Sequence, residues 1–285
     1  MGSKSEPKND IKKIFMSKGA CSHTGFYVLN REFGHNKPNE ERASDLLAGG
    51  LANKGFQCGM LWGCSLAVGG ECYRKYNNSA LAALISIETT QQIIASFIGV
   101  TGTPHCKEMT RCDFSSPLGL IKYMIINLPK GLTNTICFNV AEQWLPVAAE
   151  IAGKKIGAGR EKVSCEVISC ASEVIRLSGG SDEEIATVSG LAGGLGLSGN
   201  ACGALAAAIW FYLLDWCREH PGKIPSYFNN RIVKVILKRF FKVSNKQMLC
   251  SQICDRQFRS VKEHTDFIKN NGCAEIIKAL TKKIA

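Results

Sequence analysis

Fourteen cysteines in a chain of 285 residues are the side chains best equipped for chemistry here. Two of them stand in matching settings. Cys202 ends the glycine-rich stretch that begins GLAGGLGLSGNA and leads straight into the apolar run ALAAAIWFYLLDW. That places its sulfur at a predicted helix N-terminus, with Asn200 as the expected cap, where free N–H groups and the helix dipole favour a thiolate and lower its pKa. Gly203 beside it would let backbone approach whatever the sulfur holds. Cys58 and Gly59 repeat the arrangement. A thiolate so placed is either a metal ligand or a nucleophile. As a nucleophile, Cys202 would attack a disulfide and Cys250 would resolve the product, although the chain has no C-x-x-C pair. With no leader-like segment at the start, so many thiols predict a reducing, cytoplasmic setting and metal or redox work rather than a disulfide scaffold.

The elements that carry these thiols come in two copies. LAGGLANKGFQCGML from Leu47 aligns without a gap on LAGGLGLSGNACGAL from Leu191, with nine of fifteen positions identical at an offset of 144. The same offset pairs Phe97 with Phe241, Cys106 with Cys250, Phe114 with Phe258 and Ser116 with Ser260. Helical signals dominate. The expected architecture is therefore all-α, with two tandem modules of about 140 residues packed as a pseudo-dimer, each able to bury a core. The expected divisions are a polar tail over 1–10, a first module over 11–150 and a second over 151–285, with the junction in the mixed stretch 145–162. Residues 80–99 and 204–216 read as long helices, the second apolar nearly all round. Ser181 with Glu184 and Ser260 with Glu263 read as capping boxes, the latter helix stopping at a left-handed Gly272, and Ser116 before Pro117 opens the matching helix of the first copy. No residue from Ile185 to Leu214 is charged, so that stretch is either a buried helical region or membrane-associated.

Four segments follow one another in the second half: CASEVI from Cys170, GLAGGLGLSGNACGAL with Cys202, CSQICDRQF from Cys250 and NNGCAEIIKAL with Cys273. Together, from about residue 163 to 282, they resemble the C_GCAxxG_C_C family of redox proteins. The resemblance implies a mostly helical module whose ligand set is Cys170, Cys202, Cys250 and Cys273. Similar domains occur in split-Soret cytochromes, whose helical part holds an iron-sulfur centre as well as haem. Without a C-x-x-C-H, only the iron-sulfur part carries over. The first half looks like a diverged member with Cys21, Cys58, Cys106 and Cys137 as its set. Cys21 matches Cys170 after an insertion of five residues, whereas the ungapped offset pairs it with Cys165. Cys137 lies farther from Cys106 than Cys273 does from Cys250, and Ala207 stands where the motif has its last glycine.

Neighbouring candidates within a set are 23 to 48 residues apart, so they come from separate elements and any metal binding would be coupled to folding. Four thiolates suit a [2Fe-2S] or [4Fe-4S] cluster. Zinc is the alternative, although its C-x2-C knuckles are absent. Cys64, Cys72, Cys112, Cys165, Cys217 and Cys254 read as small buried hydrophobes, Cys254 doubling as a spare ligand one helical turn after Cys250. His23 and His105 read as ordinary polar residues.

The net charge of +11 is concentrated late: from Arg218 onward there are fifteen Lys or Arg against five Asp or Glu. Arg231, Lys234, Lys238, Arg239 and Lys242 flank an apolar set at helical spacing. They make either a solvated helix face or a docking surface for an acidic electron-transfer protein or redox enzyme complex, with an anionic membrane surface as a further option. Nucleic acid is not expected as a partner. No G-K-[ST] follows the glycines, which excludes a phosphate loop. An electron carrier or accessory subunit is favoured over an enzyme with its own substrate, and a homodimer is an open alternative.

Overall fold

The computed structural model describes residues 10–159 and 166–284, apart from 128, 130 and 132. The expected tail up to residue 9 and Cys165 lie outside the described residues. Among them the chain forms fifteen α-helices and no strand, an all-α fold. In the first half these are α1 (Asp10–Lys18), α2 (Cys21–Glu32), α3 (Pro38–Ala43), α4 (Gly59–Lys75), α5 (Ser79–Thr101), α6 (Cys106–Thr110), α7 (Pro117–Asn127) and α8 (Ile136–Gly157). The second half follows with α9 (Cys170–Leu177), α10 (Asp182–Thr187), α11 (Gly203–Glu219), α12 (Arg231–Val243), α13 (Cys250–Ile253), α14 (Val261–Lys269) and α15 (Ala274–Leu280).

Several starts fall 144 residues apart: α3 and α10, α4 and α11, α6 and α13, α7 and α14. Hydrogen bonds recur at that interval too. Cys58 N–H donates to the Pro104 carbonyl at 2.8 Å and Cys202 N–H to Met248 at 2.9 Å, while Cys106 N–H donates to Phe56 at 2.7 Å and Cys250 N–H to Asn200 at 2.6 Å. Each pair ties the strand-like residue before one cysteine to the approach of another.

The glycine-rich segments form an unusual turn. Residues 49–53 have φ of 65, 77, 63, 53 and 62°, and residues 193–197 have 57, 82, 71, 57 and 61°. Each is a run of left-handed backbone, closed by Leu51 N–H on the Leu47 carbonyl and Leu195 N–H on Leu191, both at 3.0 Å. Non-glycine residues pay roughly 1–2 kcal/mol each for this conformation. Complete burial of Leu51 and Leu195 offsets much of it.

Where separate cores were expected for each half, the main apolar core runs from Ile11 to Leu280 and includes the fully buried Trp62, Trp144, Trp210, Phe97 and Phe240, with a small second cluster of Ile87, Ala192, Leu197, Cys250 and Phe258. The reason lies in α4 and α11, which are apolar on more than one face. Helix α4 packs on α2 and α5 and also on α10; α11 packs on α9 and also on α3. Gln57, fully buried, joins the halves: its Nε2 donates to the Gly194 carbonyl at 2.9 Å and its Oε1 accepts from Ala201 N–H at 3.1 Å.

Two local expectations need correction. The boundary placed at 150 falls inside α8, which continues to Gly157 because its apolar face, with Ala148, Ala152 and Ile156, stays buried. Of the two readings of residues 185–214, the structure has the buried one: the left-handed turn breaks the stretch, and its apolar part is the buried α11. The one helix among the described residues long and apolar enough to cross a membrane is α5, most of which is buried inside the protein. Finally, Asn271 (φ 64°) and Cys273 (φ 60°) take the left-handed positions expected of Gly272, whose missing side chain instead makes room for the Phe267 ring.

The caps are formed much as expected. Ser181 and Glu184 complete a reciprocal box. Ser260 accepts from Glu263 N–H at 3.1 Å, but the Glu263 carboxylate takes the N–H of Arg259, one residue earlier than a box requires. Ser116 accepts from Gly119 N–H at 3.2 Å at the start of α7. On α12, Val233, Ile236 and Phe240 face the core, Lys234, Lys238 and Lys242 face outward, and Arg239 donates to the carbonyls of Lys282 and Lys283.

Candidate redox centres

All eight candidate cysteines open a helix. Cys170 is the first residue of α9, Cys202 is the N-cap of α11, Cys250 is the first residue of α13 and Cys273 is the N-cap of α15. In the first half Cys21 begins α2, Cys58 caps α4, Cys106 begins α6 and Cys137 is the second residue of α8. A helix N-terminus presents unpaired N–H groups and a positive dipole end, so each thiol sits where negative charge is best tolerated.

In the second half the sulfurs converge. Cys254, at the C-cap of α13, lies 3.9 Å from Cys250 Sγ and 3.5 Å from Cys273 Sγ. Hydrogen bonds from those two thiols pull Cys254 well below the usual thiol range and hold Cys250 and Cys273 well above it. A thiolate on Cys254 would thus be held by two neighbouring thiols. Cys170 and Cys202 lie close enough to be raised by the same charge, but burial dominates, pushing Cys170 to about 11 and Cys202 to about 12. N–H groups of Gly193 and Ala171 favour the Cys170 thiolate, and those of Leu205 and Ala204 favour that of Cys202 without making a full cap hydrogen bond.

The lowered pKa expected for Cys202 is therefore reversed: desolvation of a thiolate outweighs a helix N-terminus. Cys202 is also only 5% exposed, which removes it as an attacking thiol with Cys250 as its resolver. Asn200 is not the cap; its side chain turns to Ser198 Oγ and its carbonyl receives Cys250 N–H.

The first half assembles its set differently. Cys21 is lowered by a hydrogen bond from Cys58 and by the N–H groups of Gly49, Gly59 and Ser22, while that same bond and burial raise Cys58. Gly49 and Gly193 stand 144 residues apart and serve Cys21 and Cys170 alike. Burial raises Cys106 and carries Cys137 to about 12, against which a Tyr123 hydroxyl bonds the Cys137 sulfur. Tyr227, from the other half, lies near Cys21, Cys106 and Cys137. At the position of Cys254 stands Thr110, whose hydroxyl donates to the Cys106 carbonyl at 2.7 Å.

The two glycines act through packing. A Cβ on Gly59 would fall 2.5 Å from Cys21 Sγ, and one on Gly203 would fall 1.7 Å from the Leu191 carbonyl oxygen. Among the described residues no group of three or more His, Cys, Asp or Glu is drawn together tightly enough to hold a single metal ion. His23 is bound instead to Asp45 at 2.9 Å, and Cys64, Cys72 and Cys217 are buried in the core. Tyr123, Tyr227, His264 and the central place of Cys254 were missed from sequence. Only Cys254 left a signal, one helical turn from Cys250.

His264 is 1% exposed, its Nδ1 has no hydrogen-bond partner, and burial depresses its pKa to about 4. An unfolded histidine titrates near 6.5. As pH falls from 6.5 to 4 the unfolded chain takes up a proton that the folded one refuses. Stability held by neutral His264 is whole above pH 6.5 and is lost toward pH 4, by about 3 kcal/mol. Urea unfolding at pH 7 and pH 4.5 should show that slope, and His264→Leu should flatten it.

Residues 163–285 match the family described as "Putative redox-active protein (C_GCAxxG_C_C)". No curated protein and no solved structure matches the chain. The match takes in all five converging sulfurs of the second half. Over residues 163–285, then, the chain is similar to the family so described, named for the C_GCAxxG_C_C pattern.

Proposed function

We propose that the two halves are copies of one module, and that each copy binds an iron-sulfur cluster through four thiolates and passes single electrons. The ligands are Cys170, Cys202, Cys250 and Cys273 in one and Cys21, Cys58, Cys106 and Cys137 in the other. The observation that carries this reading is that all eight open helices, so each set turns several positive helix ends toward one place. A bound cluster would supply one-electron exchange. The chain supplies four sulfurs per site, N–H donors from the left-handed turns and burial that keeps water from the anionic centre. A single zinc ion would need its sulfurs roughly 3.8 Å apart on all sides, given Zn–S bonds of ~2.3 Å in a tetrahedron. The outward cations of α12 fit an acidic electron-transfer partner in the cytoplasm.

Anaerobic purification followed by iron and acid-labile sulfide counts, visible absorption and EPR tests the reading. Iron and sulfide in equal amounts, with a signal that changes on reduction, are expected. Colourless protein with stoichiometric zinc, or with no metal at all, would overturn it.

A further inference from the structure

The fifth sulfur of the second half is left without a place in a four-thiolate centre, yet it is the best connected of the five. Cys254 touches both Cys250 and Cys273, and the shorter contact, 3.5 Å, is to Cys273. The two residues arrive from different elements, one closing the turn of α13 and the other capping α15. Cys273 holds a left-handed backbone, φ 60°, which a non-glycine residue adopts at a cost and which recurs at functional positions. Exposure distinguishes the possible pairs: Cys254 and Cys273 are both partly open to solvent, whereas Cys250 is buried. A reagent from solution can therefore reach Cys254 and Cys273 before it reaches Cys250. The first half has no counterpart of this pair, because Thr110 stands in the place of Cys254, and in its own touching pair, Cys21 and Cys58, the second thiol is buried.

We propose that Cys254 and Cys273 form a reversible dithiol–disulfide couple, a two-electron activity of the second half alone, whose substrate class is a small disulfide. The Cys254 thiolate attacks one sulfur of the substrate, forming a mixed disulfide and releasing the first thiolate. Cys273 then attacks Cys254 Sγ, its thiol proton passing to the substrate thiolate released first, which closes the internal disulfide and releases the second thiolate. One protein thiolate and one protein thiol are oxidised, and one substrate disulfide becomes one thiol and one thiolate, so electrons, protons and sulfurs balance. Because Cys273 also belongs to the proposed ligand set, closing this bond withdraws one ligand; only that consequence rests on the cluster reading.

The test uses the full chain and oxidised glutathione, with alkylation of the remaining thiols, peptide mass spectrometry and iron counts before and after. A Cys254–Cys273 link that dithiothreitol reverses is expected, with loss of iron from the second half in step. Cys273→Ser should stop at glutathione held on Cys254, and Cys254→Ser should form neither adduct nor link and keep its iron. Absence of the link in the unaltered chain, or equal thiol and iron loss in Cys254→Ser, overturns the couple. Absence of iron from the start with the link still forming overturns the cluster reading and leaves the couple standing.

Discussion

Cys202→Ser should remove about half of the bound iron and sulfide, and Cys58→Ser the other half, because under the proposed function each replaces one of four thiolates in one centre. The double variant should be colourless. Serine keeps the size of the side chain and its place at the N-cap of α11 or α4, so the change acts on ligation more than on packing. Binding that draws ligands from four helix starts is part of the folding free energy, and losing it should lower stability by several kcal/mol, well beyond the ~1 kcal/mol of an ordinary buried substitution. Iron counts and EPR spin quantitation on the single variants provide the check. Loss of all iron from Cys202→Ser, with none lost from Cys58→Ser, would show that the first half holds no centre.

Gly203→Ala is expected to cost 3 kcal/mol or more, of order, although alanine is by propensity the better helix residue. Its Cβ would sit 1.7 Å from the Leu191 carbonyl oxygen, and that oxygen cannot yield because it accepts the Leu195 N–H that closes the left-handed turn. The first turn of α11 must then back away, carrying Cys202 with it. Gly153→Ala is the control: it lies inside α8 with nothing near its missing Cβ. There the same change should raise stability by roughly 0.5–1 kcal/mol. Urea midpoints of the two variants should move in opposite directions.

These cases show what a sequence can carry. The helical class, the long α5 and α11, the serine caps and the helix-opening positions of Cys58 and Cys202 were all readable, because each depends on residues within a few places of one another. The left-handed turns were not, since they require Leu51, Ala52 and Leu195 to adopt a backbone that only the surrounding core makes tolerable. Local reasoning also misjudged the Cys202 thiol: the helix end was visible, but the depth of burial that overrides it depends on residues far away. Cys254 looked like a spare because its contact with Cys273 crosses α14, and no spacing rule measures that distance. Tyr227 reaches the neighbourhood of Cys21, Cys106 and Cys137 from the other half, a placement that belongs to the assembled fold alone.

The bonds of Gln57 have a consequence for synthesis. Its carbonyl partner, Gly194, comes 137 residues later, so at 5–20 residues per second a ribosome needs roughly 7–27 s to deliver it. Until then the side chain has no partner, and the face of α4 that will receive α10 stays bare to water. A nascent first half is thus an unfinished surface rather than a finished domain. Release of the chain at residue 150 should give an aggregating fragment, and its natural protection during translation falls to whatever chaperone covers α4 in that interval.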